Sequence, residues 1–149
     1  MKNITNKLIS LFREGYCTPQ IARIAKRTKL PATTIHYNIK KLEKEGVIKT
    51  YKAVFDYSKI DLGFTTFALV SLSPDEYGDP EKIGTELSKI PEIESVDICT
   101  GDWEMVLKVR TKDMDEYFTL VKNVISREGI TKIKTLTSMK QLKTEFVGV

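Results

Sequence analysis

Over the first fifty residues the apolar side chains recur at helical spacing. Ile4, Leu8, Leu11 and Phe12 stand at i, i+4, i+7 and i+8, one stripe on a helix, and Gly15 follows as a C-terminal cap. A second start signal comes at once, with Thr18 as N-cap and Pro19 at the first helical position before Gln20 to Ala25. Thr28-Lys29-Leu30-Pro31 reads as a turn. A third helix is predicted from Ala32 to Glu45, stopping at Gly46, with Ile35, Ile39 and Leu42 as its inward stripe. Three short helices with a tight turn between the second and third make a helix-turn-helix unit.

After Gly46 the pattern changes. Val47 to Asp56 is rich in β-branched and aromatic residues and predicts an extended strand or winged hairpin leading out of the helices. Asp56 to Gly63 supplies turn residues. From Phe64 the predicted order is strand, helix, strand, strand, helix, strand: Phe64–Leu72, Pro80–Lys89, Ser95–Thr100, a strand starting near Trp103, Asp113–Arg127 and Ile130–Leu142. The third strand alternates, with Trp103, Met105, Leu107 and Val109 on one face and Glu104, Lys108 and Arg110 on the other. In the second helix Met114, Tyr117 or Phe118, Val121 and Ile125 form the inward stripe. This βαββαβ order is the ferredoxin-like arrangement, two helices on one face of a four-stranded antiparallel sheet. The fold class is therefore α+β, an N-terminal winged helix-turn-helix followed by a ferredoxin-like domain. Phe67 to Val70 is apolar on both strand faces, so the face away from the helices is expected to pair with a second copy, unless the linker or N-terminal residues cover it.

Charge sharpens this division. Residues 1–52 hold 12 Lys+Arg against 3 Asp+Glu, and residues 53–149 hold 12 against 17. A balance of +9 in one third of the chain and −5 in the rest is what results when one domain meets phosphate and the other does not. Solvated helices in a heat-adapted protein would mix both signs throughout. No apolar run approaches the length of a membrane span, and Lys2, Asn6 and Lys7 leave no signal-peptide core, so a soluble, cytoplasmic protein is expected. Cys17 and Cys99 are too few and too far apart for a disulfide framework or a zinc site, and are read as small buried or half-buried side chains.

On the third helix the face opposite Ile35, Ile39 and Leu42 is made by Thr33, Tyr37, Lys40 and Lys44, with Thr34 and His36 flanking it. Thr33 and Tyr37 have hydroxyls for base edges, Lys40 can reach a base or a phosphate, and Lys44 lies nearer the backbone. Arg23, Lys26, Arg27 and Lys29 stand where a preceding helix crosses the phosphates. Taken singly, each of these is as readily a solvated surface residue. His36 has no second histidine or cysteine nearby, so no metal site is expected. An enzyme lacks support, since there is no Cys-His pairing, phosphate-cradling glycine loop or helically spaced carboxylate pair. An RNA-recognition or small-molecule-binding module on the same βαββαβ frame is the remaining alternative. RNA recognition needs basic and aromatic side chains on the central strands, whereas Trp103 is the sole aromatic of the third strand and this half is acidic.

The chain resembles the Lrp/AsnC, or feast/famine, family of transcription regulators, archaeal in type. The resemblance rests on Thr33-Thr34-Ile35 leading to Ile39-Lys40-Lys41-Leu42-Glu43-Lys44-Glu45-Gly46-Val47-Ile48, and on Thr100-Gly101-Asp102-Trp103-Glu104. It covers essentially the whole chain. It implies dimers joined through the C-terminal sheets, often built into tetramers or octamers, binding to double-stranded promoter DNA, no cofactor, and an effector that is commonly an amino acid. The implied division is a helix-turn-helix domain over 1–50, a connecting strand and linker over 51–63, and an effector-binding and oligomerisation domain over 64–149. Thr100, Gly101, Asp102, Trp103 and Glu104 then form part of the effector site. The carboxylates Asp102 and Glu104 suit a ligand amino group, and Thr135 and Thr137 suit its carboxylate; an ordinary β-turn with surface carboxylates is the competing reading. The chain departs from the family where Lys29 and Pro31 replace a frequent Gly and Ser, Asn38 a frequent Arg, and Glu104 a usual Asp.

Overall fold

A computed structural model describes residues 2–76 and 79–143. Met1, Tyr77, Gly78 and residues 144–149, included in the domains read from the sequence, lie outside the described ones. The chain divides into two compact units, Met1–Phe55 and Asp56–Val149.

The first unit holds α1 (Lys2–Glu14), α2 (Ile21–Thr28) and α3 (Ala32–Lys44). Gly15 ends α1 at φ +98°, with the Tyr16 amide donating to the Leu11 carbonyl at 3.0 Å. A Cβ at Gly15 would stand 3.0 Å from the Tyr51 carbonyl oxygen, so glycine is needed there for close approach as well as for its left-handed φ. α2 begins later than Thr18 and Pro19 predict. Gln20 is the N-cap with ψ 85°, and its carbonyl accepts the first helical bond from Ile24, which places both residues ahead of the helix. Lys29 closes α2 in the left-handed region at φ 57°, and only Leu30 and Pro31 separate it from α3.

The inward stripes are shallower than predicted. Ile35 is buried, but Leu42 is 37% exposed and Ile4 68%. Three short helices in fifty-five residues have little apolar surface to offer one another. The strand or hairpin expected over 47–56 is also absent among the described residues. A strand requires a ladder partner, and the described residues of the first unit contain no second strand to supply one. This segment instead passes α3, where the Tyr51 hydroxyl donates to Glu43 Oε1 at 3.1 Å.

The second unit opens with a 3-10 turn, Tyr57–Ile60. It continues with β1 (Phe64–Leu72), α4 (Pro80–Leu87), β2 (Ile93–Ile98), β3 (Met105–Thr111), α5 (Met114–Leu120) and β4 (Ile130–Thr137). The strands lie in the order β2-β3-β1-β4, all antiparallel. Asp79 and Asp113 cap the two helices by accepting the amides of Lys82 and Glu116. The helix-facing core is formed by Ala68, Val70 and Leu72 of β1, Met105, Leu107 and Val109 of β3, and Ile83, Leu87, Tyr117, Leu120 and Ile125.

Several boundaries shift for physical reasons. The predicted helix over 113–127 widens into a π-turn at Val121–Ile125, closed by the Ser126 amide on the Val121 carbonyl at 2.7 Å. Of the two aromatic candidates, Tyr117 enters the core and Phe118 stays exposed. β4 stops at Thr137, not Leu142, because the Ser138 amide on Thr65 already reaches the start of the β1 ladder. β2 lies nearer the N-terminus than predicted, and Trp103 and Glu104 belong to the loop before β3. Cys17 is half-buried as read, whereas Cys99 is exposed.

The face away from the helices carries the largest correction. Lys108 and Arg110, read as an outer polar face, are both buried. Glu94 of β2 binds both, through the Arg110 guanidinium and through Lys108 Nζ at 3.0 Å. Arg110 also donates to Thr65 Oγ1 at 2.9 Å and to the Leu62 carbonyl at 3.3 Å, and lies over the Tyr57 ring at 3.6 Å. The linker thus covers one end of this face, while Phe67 and Leu136 remain exposed on it.

Candidate nucleic-acid interface

All ten residues read as DNA-facing are exposed: Arg23, Lys26, Arg27 and Lys29 on α2 and its turn, and Thr33, Thr34, His36, Tyr37, Lys40 and Lys44 on α3. Burying Ile35 turns the opposite side of α3 to solvent, so Thr33, Tyr37, Lys40 and Lys44 share a surface through helical geometry alone. Tyr37 is 70% exposed, so it does not pack into the core of the first unit. The α2 cations at 23, 26 and 27 share a face by the i, i+3, i+4 rule, opposite the half-buried Ile21 and Ile24. Asn38 does not project its amide outward. Its Nδ2 donates to the Thr34 carbonyl at 2.8 Å, bracing the helix from beside the core stripe.

Two residues missed in the sequence join this surface. Lys40 Nζ lies 2.6 Å from Glu43 Oε2, and the other oxygen of Glu43 accepts the Tyr51 hydroxyl. The hydrogen bond to Glu43 holds the Lys40 ammonium above its usual pKa, and that same bond holds the Glu43 carboxyl below the usual carboxylate range. The i, i+3 spacing of Lys40 and Glu43 was a readable signal. Tyr51 gave none, because its approach depends on how the connecting segment runs past α3.

The effector candidates are not gathered into one site within this chain. Gly101 takes φ +111° with nothing within 4 Å of its missing Cβ, so glycine serves the turn and no neighbouring group crowds it. Asp102 is exposed, and its carbonyl accepts the Ser71 hydroxyl at 3.3 Å. Glu104 is turned inward, its Oε2 accepting the Leu72 amide at 3.1 Å. That backbone bond is the main cause of its lowered pKa. Trp103 carries Lys132 Nζ over its ring at 5.4 Å.

Thr135 and Thr137 pair with Ala68 and Thr66, four to six residues along β1 from Leu72, or about 13 to 20 Å at strand rise. The Thr135 hydroxyl meets Tyr117 at 2.7 Å, and both threonines line an apolar cleft of about 280 Å³ with Phe64, Met114, Tyr117 and Phe118. Among the described residues no group of three or more His, Cys, Asp or Glu is placed to hold a metal. No described helix is long and apolar enough to cross a membrane.

Known proteins share this organisation. Residues 65–147 match the family model of the Lrp/AsnC ligand binding domain, and residues 19–49 match a winged helix-turn-helix DNA-binding model. An uncharacterised HTH-type transcriptional regulator of Pyrococcus furiosus is 32% identical over 143 residues, 95% of each chain. The crystal structure of an AsnC family transcriptional regulator from Agrobacterium tumefaciens superposes with a TM-score of 0.76 at 23% identity, over 100% of this chain and 97% of that one. A transcriptional regulator of Neisseria meningitidis in complex with L-Met superposes at 0.72 and 23% identity, over 93% and 89%.

The two family models and the full-length relative define a helix-turn-helix transcription regulator with a ligand-binding domain, a regulator family and not an enzyme family. The chain belongs to the Lrp/AsnC family of transcriptional regulators.

Proposed function

We propose that this regulator reads double-stranded promoter DNA in the cytoplasm by laying α3 in the major groove. Thr33, Thr34, His36 and Tyr37 lie toward base edges, Lys40 and Lys44 toward bases or phosphate, and Arg23, Lys26, Arg27 and Lys29 toward the backbone. The observation that carries this reading is the unbroken exposed face of α3 opposite Ile35, in a unit with a charge balance of +9. Two copies, joined through the sheet face that exposes Phe67 and Leu136, would present two such helices to a pseudo-palindromic site, and such dimers build tetramers or octamers. The second unit senses a small effector, an amino acid by chemical class. The Neisseria relative's complex with L-Met supports this chemistry. The loop from Thr100 to Glu104 supplies part of the site, and a neighbouring copy the rest, since Thr135 and Thr137 of the same chain stand elsewhere.

The test is selection from a randomised duplex pool, followed by binding measured against salt. Lys44→Ala and Arg27→Ala should each weaken binding to all sequences and flatten the slope of log K against log salt by about 0.9 per lost phosphate contact. Thr33→Ala and Tyr37→Ala should change the selected sequence. If the parent selects no sequence, or all four variants select and bind like it, this assignment of α3 is wrong.

A further inference from the structure

The exposed face of α3 treats its two lysines differently. Lys44 makes no ion pair among the described residues, whereas Lys40 is held on Glu43 at 2.6 Å. Glu43 is the less exposed partner of that pair, its side chain 28% exposed against 62% for Lys40. The reason is Tyr51, whose hydroxyl comes from the connecting segment onto Glu43 Oε1 at 3.1 Å and leaves Oε2 for the lysine. An exposed pair within one helix is ordinarily weak, because two long side chains must be ordered to make it. Here one of them is already ordered by a third residue, so the ordering cost falls on Lys40 alone. A phosphate oxygen offers the ammonium the same chemistry as the carboxylate and must displace a carboxylate fixed in place.

We infer that Glu43 is a positioning residue for specificity, which Tyr51 holds in place and which keeps Lys40 off random DNA until a correctly seated site presents an acceptor. On a mismatched duplex the Lys40 ammonium stays on Glu43, and the non-specific complex forgoes one phosphate contact. On the cognate duplex α3 sits deep enough for a base edge or phosphate to replace the carboxylate. The pair thereby widens the gap between right and wrong sites, a device that acts by withholding attraction from the competitor. This inference rests on the reading of α3 as the DNA-contacting helix.

The experiment measures binding to a 30-base-pair duplex of random sequence and to the duplex selected by the parent, at several salt concentrations. Glu43→Gln should tighten random-duplex binding about fivefold at 0.15 M salt and steepen its salt slope by about 0.9, the signature of one added phosphate contact. Affinity for the selected duplex should change less, so the ratio of the two falls. Tyr51→Phe keeps both charges and should shift random-duplex binding in the same direction by a smaller factor. Lys40→Ala distinguishes positioning from simple charge. In that background Glu43→Gln should give no gain on random DNA. An equal gain with and without Lys40 would mean that Glu43 merely repels phosphate, which overturns the proposal. So would variants that lower the melting temperature and leave both affinities unchanged. Failure of the parent to select any sequence sinks the DNA reading itself; selection by the parent with Glu43→Gln indistinguishable from it sinks only the role of Glu43.

Discussion

Glu94 shows what a single half-buried carboxylate does beside two buried cations in this fold. Burial alone would raise its pKa, but the hydrogen bonds and charges of Arg110 and Lys108 outweigh burial and lower it. A carboxyl whose folded pKa lies below its unfolded value favours folding at pH above the unfolded value, near 4.5. That contribution is lost as pH falls through the folded value. Replacing Glu94 by Gln leaves two buried cations poorly compensated and should cost about 3 kcal/mol at pH 7, read from the urea midpoint. The variant should also lose less stability than the parent between pH 5 and the acid limit. Equal pH dependence in the two proteins would show that another group governs acid unfolding. Sequence periodicity placed Lys108 and Arg110 on the correct strand face but could not show that they were buried. Their burial comes from Glu94 on a neighbouring strand and from the linker turn that puts Tyr57 and Leu62 over Arg110.

At the scale of elements, the turn between α2 and α3 carries a cost that its sequence announces. Lys29 holds φ 57°, a region that crowds any Cβ, where family members often have Gly. Lys29→Gly relieves that crowding but adds the backbone entropy of glycine in the unfolded chain. The net expectation is a gain of about 0.5 kcal/mol, visible as a higher melting temperature. A lower melting temperature would show that Lys29 is held there by contacts worth more than the strain. Helix existence and order were legible because 3.6-residue periodicity, glycine stops and proline starts are local signals. The missing strand over 47–56 and the π-turn at Val121–Ile125 were not. A strand exists only with a ladder partner. The π-turn is one extra residue in a helix whose two ends both pack on the same sheet.

At the scale of the whole molecule, the sheet face away from the helices keeps apolar side chains open to solvent, with Phe67 37% and Leu136 47% exposed. Arg110, Glu94 and the linker turn close one end of that face and leave the middle open. Phe67→Glu places a charge at the centre of the proposed contact and should shift the sedimenting species toward the mass of one chain. DNA affinity should fall with it, because two tethered half-site readers bind far more tightly than one. A parent that already sediments as a single chain would remove the basis for the assembly.

The amino-acid sequence by itself determined the two-unit plan, the order of helices and strands, the side of α3 that faces solvent, and the split of charge between the units. Each of these follows from local periodicity or simple counting, which survive whatever the distant parts of the chain do. Tertiary structure alone decided which polar groups were buried, that Thr135 and Thr137 lie far from the Thr100–Glu104 loop, and that Tyr51 meets the carboxylate that holds Lys40. These depend on strand order, register and the path of a connecting segment, and sequence spacing carries no record of which strand will lie beside which.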